Sequence, residues 1–212
     1  MLTAFNITYL HPDKDLLFEN IGFTVAQHEK VALIGNNGVG KSTLLRIIAG
    51  ELIPAAGVVN CDLKPYYVPQ HFGQYNETTI AEALRIDKKL NALHAILVGD
   101  VSDVNLKMMN DDWSIEERSQ EALSFWRLNH VSLAQKMGNL SGGEKTKVFL
   151  SGIFIHQPQI VLLDEPTNHL DTPARDILYN YIMTTTDTVI AVSHDKILLD
   201  LVCSVYELEK QG

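Results

Sequence analysis

Residues 35–43 read Gly-Asn-Asn-Gly-Val-Gly-Lys-Ser-Thr, and Gly35, Gly40, Lys41 and Ser42 fit the pattern G-x-x-x-x-G-K-[ST]. The apolar run before this stretch reads as a strand and the run after it as a helix. Glycines let the backbone take positive φ and approach a ligand closely. Successive N–H groups and the helix N-terminus then form a nest for an anion. In such a nest Lys41 reaches the outer phosphates of a nucleotide and the Ser42 hydroxyl ligates Mg²⁺. Thr43 adds a hydroxyl or N–H to an inner phosphate. The alternative is a glycine turn with no ligand, which the flanking strand and helix oppose.

Three further strand ends carry chemistry. Residues 160–166 read IVLLDEP, a short apolar strand that closes on two acids. Ligands of open α/β sheets bind at the carboxyl ends of strands, so Asp164 is placed to hold Mg²⁺ through water. Glu165 is placed to orient and deprotonate an attacking water. Alone, the two acids read as caps of the next turn; beside a phosphate loop they read as metal ligand and base. Val189–Val192 is another such strand, followed by Ser193, His194 and Asp195. A lone histidine is usually structural, but at this strand end His194 can sense a γ-phosphate. Gln70 closes the segment PYYVPQ. A turn glutamine is the plain reading of Gln70, and contact with Mg²⁺ or its water is the sharper one. A different signal lies in NLSGGEKTK, where Ser141, Gly142, Gly143 and Glu144 form a capping box. The two glycines leave the positive end of that helix bare, which favours a phosphate.

The elements that must position these residues alternate short apolar runs with helical stretches, the pattern of an α/β fold with a largely parallel core sheet. Val31–Ile34, Ile160–Leu163 and Val189–Val192 read as central strands covered on both faces. Residues 2–9, 21–26, 57–60 and 66–69 read as strands of a flanking antiparallel layer. Between about 77 and 139 the pattern turns helical, with capping boxes predicted at Thr79/Glu82 and Ser114/Glu117 and helix stops at Gly99 and Gly138. This stretch reads as a helical subdomain inserted into the α/β core. Between 100 and 121 lie seven acids and two bases. That run reads either as a solvated helix face or as a surface that repels nucleic acid and docks a protein.

Composition narrows the class. The chain has 212 residues, enough for one domain with a subdomain, and 46% apolar residues rule out wholesale disorder. Its net charge of −9 does not hold nucleic acid through its bulk field, which leaves local basic patches open. Cys61 and Cys203 form no metal or CxxC spacing and read as core thiols of a reduced compartment. The N-terminal MLTAFNITYL lacks the build of a signal peptide, and no run of 18 apolar residues exists to span a membrane. A cytoplasmic location is the expectation.

The ordered set GNNGVGKST, VPQ, LSGGEKTK, IVLLDEP, NHLD and SHD resembles the ATP-binding cassette (ABC) family over essentially the whole of residues 1–212, read as one nucleotide-binding domain. The resemblance implies a P-loop NTPase with a RecA-like core, a flanking antiparallel layer and an inserted helical subdomain. It implies ATP and Mg²⁺ as ligands and ATP hydrolysis as the activity. Nucleotide contacts carry over to the loop from Gly35 through Asn36, Asn37, Gly38, Val39 and Gly40, then to Lys41, Ser42 and Thr43. Lys41, Glu165 and His194 become the catalytic set, with Ser42, Gln70 and Asp164 about the metal. Ser141, Gly142 and Gly143 would face the ATP of an opposing cassette, and Asp171 would lie in the turn that crosses to it. Where the family usually places an adenine-stacking aromatic, this sequence has His11, with Tyr9 as the alternative. PTNHLD with LSGGEK, and DDWSIEERSQEAL, look like the ABC-F branch, whose soluble two-cassette members often act at the ribosome. No long arm-like insertion is present. The expected partner is a second cassette, another copy or a missing second half. The chain then reads as the first half of a longer ABC-F protein or as a truncation. The rival reading is the ATP-hydrolysing subunit of a membrane transporter, with its permease on another chain.

Overall fold

The computed structural model describes residues 1–209; the last three residues of the closing segment YELEKQG lie outside them. The chain divides into two compact units, one made of Met1–Gln70 with the segment from Pro158 onward, the other of His71–Gln157.

In chain order the first unit opens with β1 (Leu2–Leu10), β2 (Leu16–Val25), β3 (Lys30–Ile34), α1 (Lys41–Ile48), β4 (Ala56–Cys61) and β5 (Tyr66–Val68). The second unit carries α2 (Ile80–Ala83), α3 (Asp87–Leu97), α4 (Asp103–Met109), α5 (Ile115–Phe125) and α6 (Gly142–His156). The chain returns to the first unit through β6 (Ile160–Asp164), α7 (Thr172–Thr184), β7 (Thr188–Val192), α8 (Lys196–Asp200) and β8 (Ser204–Glu207).

The first unit holds two sheets, an antiparallel one of order β2-β1-β4 and a parallel one of order β5-β6-β7-β3-β8. β6 and β7 are buried along their whole length, as expected of strands covered on both faces. α1 turns Leu44, Leu45, Ile47 and Ile48 into the same core, which includes Val31, Leu162 and Ile190. Each such side chain stabilises the unit by about 1.5–3 kcal/mol. Register fixes the functional edge. Leu33 and Asp164 both lie level with Val192, and Val68 with Leu163, so the loops after β3, β5, β6 and β7 leave from one edge.

Two strand assignments change. Residues 66–68 do not join the antiparallel layer; they pair parallel to β6 at the edge of the core sheet. A three-residue strand has no periodicity to declare its partner, and pairing across the chain decides it. The strand expected at 21–26 begins earlier, at Leu16, because β2 follows β1 across the intervening turn.

The helical unit runs from 71 to 157, wider than the stretch of about 77–139 read from helix caps and stops, and so includes α6. Thr79 forms its capping box with Glu82, and Ser141 forms one with Glu144. Ser114 does not form one. Its hydroxyl instead accepts from Arg118 at 3.0 Å, and its backbone is not in the extended conformation that an N-cap needs. Gly99, at φ +104, follows the end of α3 as expected. Gly138 stops no helix. α5 ends at Phe125, with Arg127 at φ +60, and Gly138 sits in a 3-10 turn against the Asn76 carbonyl. In the acidic run, Asp112 accepts from Lys89 and Arg118, whose pairing holds its carboxyl below the usual range despite partial burial. Cys61 is half-buried, but Cys203 is exposed and not a core thiol. Among the described residues no helix is long and apolar enough to cross a membrane.

Candidate functional site

The loop between β3 and α1 takes its shape from its glycines. Gly35 sits at φ +144, where a Cβ would stand 2.3 Å from the Leu208 carbonyl oxygen. Gly38, at φ +79, faces open space. Val39 is buried and its N–H donates to the Asn36 carbonyl at 3.3 Å, while Asn36 and Asn37 are exposed. Lys41 starts α1 and is only 8% exposed. Its ammonium folds over the loop, donating to the carbonyls of Gly35 at 2.6 Å and Asn36 at 3.0 Å.

A cleft of about 420 Å³ opens here, lined by His11, Leu17, Asn37, Gly38, Gly40, Lys41, Ser42, Thr43, Gln70, Glu165 and Val192. At its floor Ser42 Oγ donates to Asp164 Oδ1 at 2.9 Å. Asp164 is 1% exposed, and its Oδ2 accepts from Tyr67 Oη at 2.9 Å. Burial, first, and the Asp164 charge, second, push the Tyr67 phenol well up from its ordinary value, so it acts as a donor. Glu165 follows at φ +48, with its N–H donating to the Val192 carbonyl at 2.8 Å. That unusual backbone turns Glu165 into the cleft while Asp164 stays below. Burial raises the Glu165 carboxyl above the ordinary carboxylate range, partly opposed by His194. The exposed His194 ring places Nε2 3.4 Å from Glu165 Oε1.

A family model described as ABC transporter matches residues 18–168. The chain belongs to the ATP-binding cassette family. Its relatives include ABC transporter F family member 4 of Arabidopsis thaliana, 30% identical over 98% of this chain and 27% of that protein. The energy-dependent translational throttle protein EttA of Escherichia coli K12 is 30% identical over 94% of this chain and 40% of that protein. The chain spans less than half the length of the curated relatives it matches, 43%, 42% and 34% in three cases. A solved structure of the ATP-binding cassette MJ0796, dimeric in a post-hydrolysis state with ADP and Pi, has the same fold. Its TM-score is 0.74 at 21% identity, over 99% of this chain and 94% of that one.

In this cassette the sequence-predicted residues separate into two groups by unit. The first unit brings Lys41, Ser42, Thr43, Gln70 and Glu165 into one cleft, with Asp164 below and His194 beside Glu165. His11 lines that cleft. Tyr9 instead packs on Phe18, ring centres 6.2 Å apart, and meets the His11 ring edge-on at 6.1 Å. Ser141, Gly142 and Gly143 belong to the second unit at the N-terminus of α6. There Ser141 exchanges hydrogen bonds with Glu144, whose carboxylate also takes His130 at 2.8 Å. These bonds, those of Ser141 foremost, lower the Glu144 carboxyl to about 2. Asp171 caps α7, accepting from the Ala174 N–H at 3.0 Å, while Asn168 and His169 of the same turn are exposed.

The donor set of the cleft fits Mg²⁺. Ser42 Oγ and Asp164 Oδ1 are hard oxygen donors already side by side, and a hydroxyl that donates to the carboxylate keeps its lone pairs for a cation. Mg²⁺ is commonly held by one or two protein oxygens and completes its shell with phosphates and water, a share this pair can supply. Sequence reasoning missed Tyr67. Its one signal is its place in the strand before Gln70; the contact with Asp164, 97 residues away, is tertiary.

Proposed function

We propose that this cassette binds Mg-ATP and hydrolyses it on pairing with a second cassette, as one half of a soluble, cytoplasmic ABC-F type protein acting in translation. The observation that carries the chemistry is the cleft in which the phosphate loop, the Ser42–Asp164 pair and the Glu165–His194 pair converge. The branch rests on relatives such as ABC transporter F family member 4 and EttA, each aligned over more than nine-tenths of this chain. A permease-coupled cassette is the second reading, favoured by the family model's description as ABC transporter. ATPase rates with ribosomes and with membranes separate the two.

The loop N–H groups and Lys41 cradle the β- and γ-phosphates, Lys41 exchanging one of its two loop carbonyls for a phosphate oxygen. Ser42 and Asp164 would hold Mg²⁺, which would supply positive charge against the phosphates. Glu165 accepts a proton from the attacking water, and its raised pKa brings it nearer the operating pH. His194, beside the Glu165 carboxylate, orients it and reaches the γ-phosphate. Catalysis is positioning and electrostatics. The N-terminus of α6, with Ser141, Gly142 and Gly143, offers its positive end to the nucleotide of the opposing cassette.

The variant Glu165→Gln keeps the shape and removes the base, so turnover should fall by roughly 10²–10⁴. Size-exclusion chromatography should show an ATP-dependent dimer of Glu165→Gln, absent in ADP and absent again with Ser141→Arg. Full hydrolysis rates at concentrations where only monomer is present overturn the paired mechanism.

A further inference from the structure

The Asp164 carboxylate is gripped from both sides. Ser42 Oγ donates to Oδ1 and Tyr67 Oη to Oδ2, each at 2.9 Å. Tyr67 stands on β5 level with Leu162 of the neighbouring strand β6, and its ring leans along the strands toward the carboxyl edge to reach Asp164. The ring packs against the core of the first unit, so the hydroxyl is delivered from a fixed base.

A carboxylate's own torsion is a weak constraint, because terminal sp³–sp² rotations are broad and roughly two-fold. Left to itself, the group can swing and trade its oxygens. With Tyr67 on Oδ2, Oδ1 stays turned to Ser42 Oγ. Groups one shell out from a metal ligand act in this way, and their loss costs affinity for the metal itself.

We propose that Tyr67 is a positioning residue for Mg²⁺, its hydroxyl fixing the rotation of the Asp164 carboxylate so that the oxygen donors are aimed before the cation arrives. This rests on the reading of Ser42 and Asp164 as the Mg²⁺ site. Tyr67 acts through Asp164 and is not among the residues that line the cleft, so its removal weakens the cation and leaves metal-free nucleotide binding alone.

The test uses the full chain with Tyr67→Phe, which removes only the hydroxyl. ATP affinity is measured by calorimetry in EDTA and across a MgCl₂ titration. Mn²⁺ binding in the presence of ADP is followed by electron paramagnetic resonance, and folding by thermal melting. The expected result is an EDTA affinity within about twofold of wild type and a half-effect Mg²⁺ concentration raised about tenfold, with Mn²⁺ weakened in parallel. Should Tyr67→Phe not melt cooperatively, Tyr67→Met removes the donor while its flexible side chain fills the space, and the same shift is expected. An unchanged half-effect concentration in a folded variant overturns the positioning role. So does an equal loss with and without metal, which marks general damage to the cleft. If wild-type affinity itself does not respond to Mg²⁺, the Ser42–Asp164 assignment falls, and the role of Tyr67 with it.

Discussion

Replacing Lys41 by Ala isolates the charge that the phosphate loop presents. Lys41 is 8% exposed, and its ammonium is held by the carbonyls of Gly35 and Asn36 at 2.6 and 3.0 Å. A hydrogen bond to a charged group contributes about 1.5–3 kcal/mol. A unit of phosphate charge about 4 Å away attracts the ammonium by about 4 kcal/mol at an effective dielectric of 20. An ammonium has three donors, so reaching a phosphate need release only one of the two carbonyl bonds; the net contribution to affinity is then about 1–3 kcal/mol, roughly a tenfold to hundredfold change in Kd. The helix should survive. Lys41 opens α1, where the helix dipole disfavours a cation, and Ala is the best helix former. Calorimetry of Mg-ATP binding reads the effect, with a thermal melt as the folding control. A Kd within twofold of wild type, with a cooperative melt, refutes the assignment of Lys41 to the outer phosphates.

Two loop glycines should differ in cost. Gly35→Ala meets a backbone oxygen at 2.3 Å as well as an unfavourable φ, and should destabilise the chain by about 2–4 kcal/mol. Gly38→Ala has no atom within 4 Å and should cost about 1–2 kcal/mol, both read by denaturant titration. If His11 stacks on adenine, His11→Ala should weaken ATP binding by about 0.5–1.5 kcal/mol in calorimetry. Tyr9→Ala, which strips a ring from Phe18, should lower melting temperature more than affinity, and the reverse ranking moves the base contact to Tyr9. Burial raises Glu165 above its ordinary 4.5, so the folded state holds that proton more tightly than the unfolded one. Its contribution to stability is complete below the unfolded value and declines as pH rises through the folded one. Glu165→Gln should therefore gain melting temperature over wild type at pH 7–8 and lose that advantage below pH 4, as scanning calorimetry can show.

Much of the cleft is legible in the sequence alone. The phosphate loop, the acids at the end of β6, His194 after β7 and the box at Ser141 are each contiguous, and each sits where a periodic run breaks. Local spacing therefore marks the candidates for cradling phosphate, holding a cation or capping a helix. Long-range pairing determined the rest. A strand of three residues at 66–68 cannot announce that it runs parallel to β6 rather than beside β1. Ser114 has the spacing of a cap, yet its hydroxyl accepts from Arg118, one helical turn along, and not from Glu117. α5 stops at Phe125 because the chain turns through Arg127 at positive φ, not because of a glycine. Asp164 meets Ser42 and Tyr67 across 122 and 97 residues, and no local pattern encodes such a meeting. Periodicity records what each segment buries. The aim of a carboxylate depends on which strands come to lie side by side, and only the packed sheet settles that.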